Sequence, residues 1–207
     1  MAGSLCQEID LSPGRLGKYV FIVSGFQISE AIIELLQENN PAPLGKGPRK
    51  ARAEETRIES CMGKWDQEGS LESEKAQLIK AVLLLWHDYL DECHVICQDV
   101  KSASGSLIHA MMHRREGDFS NAKYWYARAG RHPVYSKYEE FFQRESNSKF
   151  MPVDLRKAMG ERWNPAMITE QIEKVATKTE TPLYKELQNL QYFETLLLVQ
   201  FLAKSNE

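Results

Sequence analysis

Helix breakers limit this chain more than its composition does. From residue 73 onward apolar side chains recur at helical spacing, and the stretches are separated by Gly117, by Gly130 and Pro133, by Pro152, by Gly160 and Pro165, and by Pro182. Proline and glycine are the costliest residues in a helix interior, so the region divides into separate helices rather than one rod. The spacing predicts helices over 73–100, 105–116, 119–129, 135–146, 165–178 and 183–204. Another is predicted over 28–39, where Ile28, Ala31, Ile32, Leu35 and Leu36 form one stripe closed by Asn39, Asn40 and Pro41. No alternating apolar run reaches strand length, and YVFIV at 19–23 is the single candidate. The fold class is all-α, a bundle or array of about six to eight helices.

With 207 residues and 43% hydrophobic content, the chain can build one domain around a sizeable core. Residues 73–207 form the main helical domain, and 1–72 supply a helix and loops that pack on it. Residues 41–47 read as a turn-rich loop and 62–73, with Gly63 and Gly69, as a connector. The Gly-Lys-Gly-Pro-Arg run has the wrong spacing for a phosphate cradle, and Pro48 removes an amide such a loop needs. The basic run Lys46, Arg49, Lys50 and Arg52 is followed at once by Glu54 and Glu55, which suits a solvated loop.

A net charge of −3 argues against a nucleic-acid coat. The start, MAGSLCQEIDLSPG, carries acids where a secretory leader has a basic and apolar run. FETLLLVQFLA is too short to span a bilayer and contains Glu194 and Gln200. Cys6, Cys61, Cys93 and Cys97 lack zinc-ribbon or disulfide spacing, and Cys93 with Cys97 suits buried thiols one helical turn apart. The expectation is a cytoplasmic protein with no nucleic-acid or membrane partner, free to form a homo-oligomer.

All five histidines, with four arginines and several carboxylates, fall within residues 87–132. On the helix over 73–100, His87, Asp91 and His94 are spaced i, i+4, i+7 and share a face. On the next helix His109, His113 and Glu116 repeat that spacing. The short connection near 99–105 makes the two helices antiparallel neighbours. Folding about Ser102 sets His94 beside His109 or Ala110, Asp91 beside His113, and His87 beside Glu116 to Asp118.

Two chemistries fit this seam. In one, His109 and His113, with His87 as the third metal ligand and Asp91 or Glu116 as alternatives, hold a divalent transition metal that activates water or a substrate oxygen. The zinc-protease H-E-x-x-H signature is absent, since Ala110, Met111 and Met112 stand between the histidines. In the other, His109, His113, Asp91 and Glu116 do metal-free acid–base work. In either, Arg114 or Arg115 anchors an anionic small molecule, and Asn121 and Tyr124 complete the substrate-binding set. Asn121 serves equally well as a helix cap, as do Asp118 and Ser120. The ordinary alternative is a set of satisfied His–Asp pairs that fix helix register, with His132 a cap or turn residue.

The rival to a small-molecule site is a protein-interaction module. Residues 107–133 scan as one helical hairpin of the tetratricopeptide or Sel1 kind, with Ala110, Ala122 and Ala129 as small positions, Tyr126 as the aromatic and Pro133 as terminator. A single unit cannot make a solenoid. Tyr124, Trp125 and Tyr126 point in three directions on a helix, so at least one faces the polar seam. On the last helix Glu194 sits inside the stripe of Leu183, Leu187, Leu190, Leu197 and Phe201. It needs a basic partner such as Arg114, Arg115 or a histidine, unless the helix end rotates it to solvent.

LLLWHDYLDECH, GSLIHAMMHRREGDFSNAKYWYARAGRHPVY, RWNPAMITEQIE and QYFETLLLVQF together resemble an uncharacterised family of small helical proteins of bacteria and fungi. The resemblance spans about 75–202 and is most specific over 113–125. It implies that the histidine-rich segment belongs to the family pattern, and it brings no activity with it.

Overall fold

A computed structural model of the chain describes residues 30–37, 41–50, 52–67, 73–144, 153–160 and 162–204. The one strand candidate, 19–23, lies outside them. Ten helices and no strand occur among the described residues: α1 Glu30–Gln37, α2 Glu55–Gln67, α3 Ser73–Trp86, α4 Leu90–Asp99, α5 Ala103–Glu116, α6 Phe119–Ala129, α7 Val134–Arg144, α8 Val153–Met159, α9 Pro165–Val175 and α10 Pro182–Leu202. The fold is all-α. No described helix is long and apolar enough to cross a membrane.

Local chemistry sets most boundaries. Ser102, Asp118, Asn164 and Thr181 each cap a helix by accepting from the backbone N–H three residues on, at 3.1–3.2 Å. Pro165 and Pro182 stand just inside their helices, where the missing N–H costs nothing. Gly117 ends α5 in the left-handed region at φ 91°, leaving a two-residue turn into α6.

α5 is the central helix. It packs on α3, α4 and α6, and every residue from Gly105 to Arg115 is buried. Ala110 and Ala122, both 0% exposed, let α5 and α6 approach closely. The start of α5 lies so near the end of α4 that a Cβ on Gly105 would collide with the Val100 carbonyl oxygen. α10 closes the other side against α3, α7 and α9, and α1 and α2 lie on α3.

Three expectations are corrected. The helix over 73–100 is two helices, broken at His87 to Tyr89, with Asp88 at φ 67°. Neither proline nor glycine causes the break. Asp88 Oδ2 accepts the Arg49 N–H at 2.8 Å, Asp88 Oδ1 accepts from Arg115 Nη2, and His87 Nδ1 accepts the Ala53 N–H at 3.0 Å. These long-range bonds, with aspartate's tolerance of the left-handed region, outweigh a turn of helix.

Secondly, the loop residues 41–50 and 52–54 form a strap against the body, so the basic run is only partly solvated, with Arg49 and Arg52 half-buried. Lys46 and Lys50 are exposed, but Ala42, Leu44 and Ala53 are buried. Gln188 and Gln191 donate to the carbonyls of Pro41, Ala42 and Pro43, and Tyr184 Oη accepts the Leu44 N–H. Thirdly, residues 62–67 continue helix α2 through Gly63 rather than forming a connector. Helix α8 carries no clear periodicity in the sequence and was not expected.

Candidate metal centre

α4, α5 and α6 bring three imidazoles together. His109 and His113 lie one turn apart on α5, and the antiparallel α4 sets His94 against both. The ring centroids are 4.7 Å apart for His94 and His109, 5.3 Å for His94 and His113, and 4.8 Å for His109 and His113. One ligating nitrogen from each lies within 4.8 Å of the others.

His109 is 2% exposed, and neither ring nitrogen has a hydrogen-bond partner. Its ring is held by stacking, on His113 at 18° from parallel and on Trp125 at a centroid distance of 3.9 Å. Burial pushes its pKa down to about 4, and the neighbouring His113, His94 and Lys101 push the same way. His113 is also lowered by burial, against the opposing pull of Glu116. Both imidazoles are therefore neutral near pH 7, the form that ligates metals.

His113 has the partners His109 lacks. Its Nδ1 lies 3.1 Å from Glu116 Oε2, and its Nε2 lies 3.1 Å from Asn121 Nδ2. A carboxylate accepting the Nδ1 proton fixes the tautomer with the lone pair on Nε2. Asn121 reaches this position because Asp118 caps α6 by accepting the Asn121 N–H, which aims the Asn121 side chain at α5. Asn121 thus faces the imidazoles while Asp118 does the capping.

The expected site is redrawn in four places. His87 is not part of the imidazole group. The break at Asp88 turns it toward Ala53, whose N–H its Nδ1 accepts, and His94 stands in its place. Asp91 lies in the first turn of α4 and is exposed, because the His94 ring fills the space facing both His109 and His113. Of the expected pairings, His94 with His109 is present and Asp91 with His113 is not.

Arg114 and Arg115 follow His113 by about 100° and 200° around the helix, so they leave α5 on other faces. Arg114 makes a two-pronged pair with Glu194, Nη2 to Oε2 at 2.6 Å and Nη1 to Oε1 at 3.3 Å. Arg115 donates to Asp88 and to the carbonyls of Leu85 and Gly45. Buried and paired, neither is placed to anchor an anion at the histidines. Tyr124 is 54% exposed, and its hydroxyl accepts from Arg128.

Trp125 was not singled out as a site residue, although the three-direction argument for Tyr124 to Tyr126 required one ring to face the seam. His132 is a turn residue: its Nδ1 accepts the Val134 N–H at 3.2 Å and its Nε2 meets Ser104 Oγ at 2.9 Å. Cys93 and Cys97 are buried thiols whose sulfurs are 4.0 Å apart.

Comparison of the chain with protein-family models, with curated proteins and with solved structures finds no match.

Proposed function

We propose that the protein binds a divalent transition metal through His94, His109 and His113, and that the metal activates water or a small substrate at a remaining coordination position. The observation that carries this reading is His109, an imidazole 2% exposed with neither nitrogen hydrogen-bonded. A histidine kept for packing is paired when buried, because an orphaned polar group costs about 1–3 kcal/mol. Two further imidazoles around it supply the donors that suit zinc, copper, iron or nickel.

Three protein ligands leave room for water or substrate, the arrangement of a catalytic rather than a structural zinc site. Nitrogens on one tetrahedral zinc stand about 3.3 Å apart, given bonds of about 2.0–2.1 Å. The three donor nitrogens lie within 4.8 Å of one another, so loading an ion draws the rings closer, and His109 gives up no hydrogen bond in that move. Glu116 would then hold His113 from behind, as carboxylates commonly hold metal-ligating imidazoles.

The test is metal analysis of protein purified without chelator, joined to a thermal melt with and without added Zn2+ or Co2+. The expected result is about one equivalent of metal and a rise in melting temperature, since a ligand at a hundred times its Kd adds about 2.7 kcal/mol. Less than about a tenth of an equivalent, with no rise on addition, removes the proposal. Loss of binding in His109→Ala alongside retention in His87→Ala is the expected residue pattern.

A further inference from the structure

We propose that Cys93 and Cys97 form a second metal site, independent of the imidazoles, that takes the soft monovalent cation Cu+ between their two sulfurs. The residues lie one turn apart on the buried face of α4, 0% and 2% exposed, and their Sγ atoms stand 4.0 Å apart. A thiolate–metal bond of about 2.3 Å on each side bridges that gap at an S–metal–S angle of about 120°, and a spread of about 0.6 Å straightens it. The spacing therefore accepts an ion with little rearrangement. A disulfide asks for much more, since its sulfurs must close to about 2.05 Å.

The donor set selects the metal. Among the described residues no third histidine, cysteine or carboxylate clusters with the two thiols, since the one such group is the imidazole set. Zn2+ calls for four donors, whereas Cu+ is soft, prefers thiolate sulfur and is satisfied by two. In the metal-free protein the hydrogen bond shared with Cys97, together with burial, keeps the proton on Cys93 against the pull of Arg115. Loading releases both thiol protons to solvent and forms two Cu–S bonds, which leaves one negative charge on the unit and the copper still Cu+. The Arg115 guanidinium favours that charge as it favours the thiolate. The sulfurs lie within one helix diameter, about 10 Å, of the solvent over Asp91, Val95 and Gln98 on the outer face of α4.

The test titrates the full chain with Cu+ in the absence of oxygen, against a coloured Cu+ chelator, in wild type, Cys93→Ser, Cys97→Ser and His109→Ala. We expect about one equivalent of tightly held Cu+ in wild type and in His109→Ala, and binding weaker by about a hundredfold or more in each cysteine variant. X-ray absorption at the copper edge should show two sulfur neighbours at about 2.3 Å. Uptake below about a tenth of an equivalent overturns the proposal, as do cysteine variants that bind within about tenfold of wild type, or copper surrounded only by nitrogen. Each of these results leaves the three-histidine reading, which is tested with Zn2+ or Co2+, as it stands. If a cysteine variant fails to fold, the sulfur count in Cys6→Ser combined with Cys61→Ser decides, because the α4 pair then holds the chain's remaining thiols.

Discussion

The indole of Trp125 lies flat on the imidazole of His109, the ring centroids 3.9 Å apart and the planes 22° from parallel. With His113 stacked on α5 as well, His109 is fixed in orientation by aromatic faces while both nitrogens stay unbonded. A side chain positioned by stacking alone is pre-set for a ligand at no cost in exchanged hydrogen bonds.

That arrangement separates stability from binding. His109→Leu removes two orphaned nitrogens and keeps an apolar filling, so metal-free protein should be as stable as wild type within about 1 kcal/mol, or more stable. The same variant should show no melting shift on adding Zn2+. Denaturant melts with and without metal check both. A loss above about 2 kcal/mol without metal would mark His109 as structural.

Trp125 should report the metal directly. Of the chain's four tryptophans, this one touches a proposed ligand, so Cu2+ or Co2+ bound beside it should quench its emission. Trp125→Phe should abolish the saturable quench and preserve the ring stack. Equal saturable quenching in the variant would place the ion elsewhere.

The buried pair of Arg114 and Glu194 joins α5 to α10 and should be unforgiving. Glu194→Ala strands a guanidinium that is 0% exposed and should cost about 3–5 kcal/mol, whereas Arg114→Met combined with Glu194→Leu should recover most of that loss. A double-mutant cycle by denaturant melts measures it. Trp86, Arg114 and Gln191, each with one buried polar atom that has no hydrogen-bond partner, line one cavity of about 10 Å3, the room of a single water, and a crystal structure should show one ordered there.

Asp88 holds the break between α3 and α4. Asp88→Ala leaves the buried Arg115 with two carbonyl acceptors but no countercharge and should cost about 3–5 kcal/mol. Gly47→Ala should also destabilise, by about 1–3 kcal/mol, because its Cβ would lie 2.7 Å from Asp88 Cβ and Cγ. Both are read from melting curves.

Acid should weaken the fold through His132. Burial holds it neutral, with its pKa lowered to about 4, and its Nδ1 must stay unprotonated to accept the Val134 N–H. In the unfolded chain the value returns to about 6.5, so the unfolded state takes the proton first as pH falls. The contribution is present above about pH 6.5 and is lost progressively toward pH 4, with a ceiling of about 3 kcal/mol. His109, lowered to about 4 in the same way, adds a second share in metal-free protein. Comparing the pH dependence of wild type with that of His132→Asn isolates one share, and an identical dependence in both would exclude His132 as a cause.

How much of this was legible beforehand depended on range. Helices α5, α6, α7, α9 and α10 begin and end within three residues of where periodicity, caps and breakers put them, since all those signals act over a few residues. The meeting of His94 with His109 was legible for a related reason. A connection of a few residues between helices leaves almost no freedom except an antiparallel return. Glu194 announced a need for a basic partner, and its carboxylate meets Arg114 among the candidates named.

Taken alone, the amino-acid order determined the helical class, most helix limits, the shared face of His109 and His113, and the demand for a buried countercharge. The tertiary structure decided what depends on residues far apart in the chain. The strap of residues 41–50 and 52–54 holds the break at Asp88 through Arg49, pairs His87 with Ala53 and accepts from Arg115 at Gly45, while Asp88 itself pairs with Arg115. Packing on all sides of α5 committed Arg114 to Glu194 and chose Trp125 as the ring against His109. The reason is physical. Helix signals are set by neighbours within a turn, whereas a buried charge or imidazole is satisfied by whichever group the folded chain brings to it, across as many as 80 residues.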